Sequence, residues 1–239
     1  MPDGELSVLY EDEWLIAVDK PAGVHTAPLR AGETGTLLDR VLSRFPEISR
    51  LPGVKPVEPG LLHRLDQETS GVVVVARTEA AFRALRELFE RGDAVKDYRA
   101  ACRAEEGRLI PSTLRIESRF APRGPGRRMV RVVPPGAAGK AREATRDIYT
   151  TEAGVEERRG TSALLSAVIR RGFRHQVRAH LSYLGLPIFG DDLYGVPAPA
   201  GAPARMYLHA CGISFAHPLR GGTVRIVSPL PDAFHAALG

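Results

Sequence analysis

The sequence predicts an α+β protein built on a central mixed, largely antiparallel sheet flanked by helices and loops. Three observations predict it. Segments with strand character far outnumber those with helical periodicity, and helices do not alternate with strands as a βαβ repeat requires. Residues 71–76 (GVVVVA) form a continuous β-branched run, the mark of a strand buried on both faces. The 44% hydrophobic content of 239 residues suffices for a substantial core, with no internal repeat, heptad pattern or low-complexity linker, so one domain over residues 1–239 is expected.

Each element follows from local chemistry. The opening SVLYEDEWLIAVDKPAG reads as two short strands, separated by an acidic turn at residues 11–13 and closed by Pro21 and Gly23. Residues 36–45 set Leu37, Leu38, Val41, Leu42 and Phe45 on one helical face, and Pro46 stops the helix. After the valine run, Thr78 is an N-cap, Phe82, Leu85 and Phe89 share a face, and Gly92 sits where a C′ glycine belongs. KDYRAACRA (residues 96–104) is the next strand. Residues 112–151 hold several β segments separated by the turn-rich APRGPGRR and PPGAAGK, and SALLSAVIR (162–170) is a further strand. HQVRAHLSYLG (175–185) reads as a helix ending at Gly185, after which YLHACGISFAHP and TVRIVSP return to strand.

Composition narrows the function classes. No run of roughly 18 apolar residues is present, and the acidic N-terminus does not fit a signal peptide, so neither membrane insertion nor export is expected. Cys102 and Cys211 form no CxxC pair and suggest neither zinc nor a disulfide framework; a reducing cytoplasm is the expected location. Net charge is +5, and 29 of the 33 basic residues are arginine. Arginine suits bidentate phosphate contact and base stacking, although a GC-rich coding sequence would produce the same bias.

Several tempting motifs fail. In PPGAAGKAR, Ala141 follows Lys140 where a phosphate-binding loop needs Ser or Thr. His175 and His180 project about 140° apart around a helix and do not grip one metal. Ser70 lies in no GxSxG elbow and has no recognisable base near it in sequence. The segment GLLHRLDQETSGVVVVAR (residues 60–77) differs, because it sets a polar loop carrying His63, Arg64, Asp66 and Thr69 directly ahead of a buried strand. Read on residue types alone, it is equally a turn into the strand made by Asp66 and Thr69, with Arg64 on a solvated face.

HRLDQETSG resembles, position for position, the HRLDxxTSG signature of the RluA family of RNA pseudouridine synthases. The resemblance extends through VLYEDEWLIAVDKPAGV, KDYRA, RHQVRAHLSYLGLPIFGDDLYG, YLHACGISFAHP and SPLPDAF, in the family's order. It implies the pseudouridine synthase catalytic fold and an isomerase that needs no cofactor and no metal. It also implies that Asp66 is the catalytic aspartate, attacking uridine at C6 of the base or C1′ of the ribose so that the N-glycosidic bond breaks and the base rejoins through C5. By the same resemblance Tyr98 packs on the target base and serves in proton removal. Arg178 then pairs with the aspartate and keeps it ionised, and Arg64 enters the RNA helix where the target base leaves it.

Two departures accompany the resemblance. Gly172, Phe173 and Arg174 stand where many members have Gly-Arg-Thr or Gly-Arg-Lys, and the small N-terminal RNA-binding domain of some relatives is not expected. RNA affinity is then assigned to Arg119, Arg123, Arg127, Arg128 and Arg131 with Arg170, Arg171 and Arg174. The expected partner is a structured ribosomal or transfer RNA stem-loop, bound by a monomer without membrane contact. Two alternatives stand beside this reading: a non-catalytic RNA-binding module or chaperone of the same fold, and an aspartate-dependent glycoside hydrolase with Glu68 as the second carboxylate. From its pairing with the aspartate, Arg178→Ala is expected to abolish turnover while leaving RNA binding within roughly 1–2 kcal/mol, because only one exposed phosphate contact is lost.

Overall fold

The structure, a computed structural model, describes residues 6–104, 110–137 and 143–239. Of the segment PPGAAGKAR, in which a turn is expected, residues 138–142 with Lys140 fall outside the described residues. In chain order the elements are β1 (Val8–Glu11), β2 (Leu15–Lys20), α1 (Leu37–Arg44), β3 (Ser70–Ala76), α2 (Glu79–Arg91), β4 (Val95–Arg103), β5 (Thr113–Arg123), β6 (Met129–Val133), β7 (Tyr149–Arg159), β8 (Ser162–Ile169), α3 (Gln176–Tyr183), β9 (Leu208–Ala216), β10 (Thr223–Val227) and α4 (Ala233–Ala236). Short 3₁₀ turns at Pro46–Arg50 and Pro125–Arg127 complete the set. This is the expected α+β composition.

The chain divides into two compact units, one formed by the residues up to Lys96 with His209–Pro229, the other by Asp97–Leu208 with Leu230–Gly239. In the first unit the strand order is β1-β2-β3-β9, with β10 on β9. The β1–β2, β2–β3 and β9–β10 pairs are antiparallel and the β3–β9 pair is parallel, so the sheet is mixed. Every residue of β3 is buried, as its unbroken β-branched run requires. The helices start and stop on their own signals. Thr36 closes a capping box with Asp39, Thr78 caps α2 by accepting the Ala81 N–H, and Gly92 ends α2 in the left-handed region. Phe82, Leu85 and Phe89 of α2 join Leu15, Val74 and Phe215 in the core. Leu42, expected in the α1 core face, is only half-buried, because its position lies at the margin of the stripe set by Leu37, Leu38 and Val41.

In the second unit the strand order is β4-β8-β7-β5-β6, and the β5–β6, β5–β7 and β7–β8 pairs are antiparallel. Helix α3 packs against β6 and β7 and is buried from Gln176 through Leu181, so it is an internal helix rather than an amphipathic surface one. Phe120 and Phe173 stack in parallel there, with ring centroids 5.1 Å apart. His180 belongs to this core: its Nδ1 meets Thr151 Oγ1 and its Nε2 meets Ser118 Oγ, each at 2.8 Å. Burial lowers its pKa to about 4, so the ring is neutral at physiological pH.

Candidate active site

The site begins where β2 ends and β3 starts. Lys20 lies opposite Gly71 in the β2–β3 register, so the loop leaving β2 and the loop entering β3 emerge side by side. Between residues 60 and 66 the chain first runs along β3, held by bonds from Ala76 N–H to the Gly60 carbonyl and from Val74 N–H to His63 Nε2. Burial, aided by the Lys96 ammonium, holds His63 well below the usual imidazole pKa, which keeps the ring neutral and able to accept that N–H. Leu61, Leu62 and Leu65 anchor the segment in the core.

The backbone on both sides of Asp66 is gripped by residues 20–26. Thr26 Oγ1 donates to the Leu65 carbonyl at 2.8 Å and accepts the Leu65 N–H at 3.2 Å. The fully buried Lys20 donates to the carbonyls of Pro21, Val24 and Gln67 at 2.9, 2.6 and 2.8 Å, and Gly23 exchanges two further bonds with Gln67. The Thr69 N–H then closes a turn onto the Asp66 carbonyl at 3.1 Å. Asp66 is therefore a half-buried carboxylate on a turn whose flanking peptides are fixed by side chains, an arrangement that limits the movement of the turn. Arg64, two residues earlier, is exposed, and its guanidinium is held by the buried carboxylate of Glu58 at 2.8 Å.

Asp66 and Arg64 lie in the first unit, Tyr98 and Arg178 in the second. Tyr98 is a buried residue of β4, whose alternation also turns Lys96 and Ala100 inward. Arg178 is not the exposed helical arginine that its residue type alone would suggest. It is buried, and its Nε and Nη2 form a two-pronged pair with Asp191 Oδ2 and Oδ1 at 2.8 and 2.7 Å. Its guanidinium also lies over the Tyr194 ring, 5.4 Å from the centroid. Burial alone would raise the Asp191 pKa. The Arg178 hydrogen bond and charge, with the N–H groups of Leu193 and Tyr194, outweigh burial and hold the carboxyl below the usual range.

The GDDLYG turn has that geometry for steric reasons. A Cβ on Gly190 would stand 1.9 Å from the Arg205 carbonyl oxygen, and one on Gly195 would stand 2.1 Å from that of Ile188. Tyr194 closes the turn, its hydroxyl accepting the Val130 N–H at 2.6 Å and meeting His175 Nδ1 at 3.0 Å.

Among the arginines assigned to RNA affinity, Arg123, Arg127 and Arg128 are exposed at the β5–β6 turn. Arg174 joins them by donating to the Arg127 carbonyl at 2.6 Å. Arg171 pairs with Asp147 at 2.8 Å.

Sequence reasoning missed Lys20, Thr26, Glu58 and Asp191. It also found no base for Ser70, whereas the structure sets Ser70 Oγ 2.8 Å from Nδ1 of His209, 139 residues away. The quoted segments VDKPAG, GDDLYG and YLHA contain Lys20, Asp191 and His209, but only tertiary contacts reveal what those side chains hold.

Residues 14–183 match the family model described as RNA pseudouridylate synthase. A relative from Neisseria meningitidis named ribosomal large subunit pseudouridine synthase D is 33% identical over 243 residues, covering 98% of this chain and 60% of the relative. A protein of the same name from Xanthomonas campestris is also 33% identical, covering 96% and 67%. The chain thus spans about 60% of the length of the Neisseria relative. Two solved human structures share the fold. RNA pseudouridylate synthase domain containing 1 has a TM-score of 0.72 at 24% identity, covering all of this chain and 89% of that one. Domain containing 4 has 0.70 at 23%, covering 97% and 91%. Among the described residues, no helix is long and apolar enough to cross a membrane.

Proposed function

The chain belongs to the RNA pseudouridylate synthase family, and on that premise we propose that it isomerises uridine to pseudouridine in structured RNA, with ribosomal RNA of the large subunit as its substrate. The observation that carries this reading is Asp66, a carboxylate in the matched HRLDQETSG segment on a turn gripped through both neighbouring peptides. In the proposed reaction Asp66 adds to C6 of the base or displaces the base from C1′. The C1′–N1 bond breaks, the base turns, C5 bonds to C1′ and the bond to Asp66 breaks, returning the carboxylate; the C5 proton leaves and N1 takes up a proton. Atoms and electrons balance within the substrate, so the reaction needs no redox partner.

In this reading Tyr98 supports the base and receives the C5 proton, and Arg178 supports the charge of the Asp66 carboxylate. Arg64 fills the gap left by the flipped uridine. A planar cation suits that place, since it stacks on the neighbouring bases as the target did. Affinity for the phosphates comes from the arginines of the β5–β6 turn and Arg174. The acting form is a monomeric catalytic domain in the cytoplasm. The choice of ribosomal RNA rests on the relatives' names, and mapping tests it. Pseudouridines are located by carbodiimide treatment and primer extension in ribosomal and transfer RNA from a strain lacking the gene. The expected result is loss of sites in large-subunit ribosomal RNA, restored by the wild-type gene. Loss confined to transfer RNA would redirect the substrate assignment, and an unchanged map would overturn it.

A further inference from the structure

Four polar side chains, three of them buried and Asp19 half-buried, connect the start of β3 to the end of β2 inside the first unit. Ser70 Oγ meets His209 Nδ1 at 2.8 Å, His209 Nε2 meets Ser228 Oγ at 3.1 Å, and Ser228 Oγ donates to Asp19 Oδ1 at 3.0 Å. Ser70, His209 and Ser228 are all at most 5% exposed. The carboxylate at the end sets the direction of every proton. An ionised Asp19 only accepts, so Ser228 spends its single proton there and must accept from His209. In the neutral ring Nε2 therefore carries the proton, Nδ1 is an acceptor, and the Ser70 hydroxyl donates into it.

Both ends of the chain meet the Asp66 turn. Ser70 follows Thr69, the residue whose N–H closes that turn onto Asp66. Asp19 precedes Lys20, whose ammonium holds the Gln67 carbonyl. The contacts thus form a circuit that leaves the turn at Ser70, passes through His209, Ser228 and Asp19, and returns through Lys20 to the peptide after Asp66. None of these four residues is placed against a substrate. Burying so many polar groups is costly unless each is paired in one arrangement, so the circuit permits a single geometry of the turn.

We propose that Ser70, His209, Ser228 and Asp19 are positioning residues that set the orientation of the Asp66 carboxylate, acting on the chemical step and not on RNA affinity. The proposal rests on the reading of Asp66 as the nucleophile.

Single-turnover tritium release from [5-³H]uridine-labelled total RNA of a strain lacking the gene tests it. Ser70→Ala, Ser228→Ala and the double variant are compared with the wild type, with filter binding to the same RNA and thermal unfolding to verify folding at the assay temperature. The expected result is a rate constant lowered about tenfold or more in each single variant, with RNA affinity within about threefold of wild type, because small misplacements of a reacting group cost rate. The double variant is expected to lose little beyond the slower single one, as members of one chain do. His209→Asn, which shortens the central link, provides a further slow variant. Rate constants within twofold of wild type in folded Ser70→Ala and Ser228→Ala, even with lowered Tm, would assign the chain to stability alone and overturn the proposal. So would a loss carried by RNA affinity. Asp66→Ala in the same assay separates the two claims: inactivity there beside an unslowed Ser70→Ala removes only the positioning chain, whereas full activity of Asp66→Ala removes the reading on which it rests.

Discussion

Arg178 is held where it is by Asp191, and that pairing changes what its replacement does. A buried two-pronged ion pair gives little net stability against an apolar substitute, but removing one partner leaves the other charge buried and unpaired. Arg178→Ala is therefore expected to destabilise the fold by about 3–5 kcal/mol, on top of any loss of turnover. Urea unfolding measures it, and a cost under about 1 kcal/mol would contradict a buried pair. The burial of both groups adds this cost in stability to the loss of turnover expected from the resemblance. At Glu58 the pair is uneven, because the carboxylate is buried while the guanidinium of Arg64 that it holds is exposed.

At the scale of elements, the junction that matters is the short parallel pairing of β3 with β9, at Ser70 opposite His209 and Gly71 opposite Ala210. Gly71 has a φ of +116°, and a Cβ there would stand 2.2 Å from the Ala210 carbonyl oxygen. Gly71→Ala must push the two strands apart or distort the backbone, and is expected to cost about 3 kcal/mol. A Tm unchanged from wild type would contradict that packing. The helices and most strands were legible in the sequence because their signals are local: the Thr36 and Thr78 caps, the Gly92 stop and the valine run act within a few residues. The β3–β9 pairing joins residues 139 apart, and no periodicity encodes it. The polar loop ahead of β3 was legible in HRLDQETSG, whereas the grip of Lys20 and Thr26, the Ser70–His209 contact and the Asp191 hold on Arg178 depend on tertiary contacts that no local pattern encodes.

For the whole molecule, buried neutral bases make stability depend on pH in one direction. The pKa of His180 is about 4 in the folded protein, below the value near 6.5 of an unfolded chain, so the unfolded state takes up its proton first as pH falls. Its contribution is complete above about pH 6.5 and is lost between there and pH 4, amounting to roughly 3 kcal/mol. His63, also lowered by burial, acts in the same sense. Asp191, held low by Arg178, adds a loss further into acid, as pH falls from about 4 through its folded pKa. The urea midpoint is expected to decline steadily from pH 6.5 to 4, and a flat profile would contradict two neutral histidines in the interior. The central claim of the proposed function is that the Asp66 carboxylate performs the isomerisation. The most direct measurement is tritium release from [5-³H]uridine-labelled total RNA of a strain lacking the gene, incubated with wild-type protein or with Asp66→Asn, which removes the charge at almost no change in shape. Release by the wild type alone is the predicted result; equal release by both, or binding without release by either, would contradict the account.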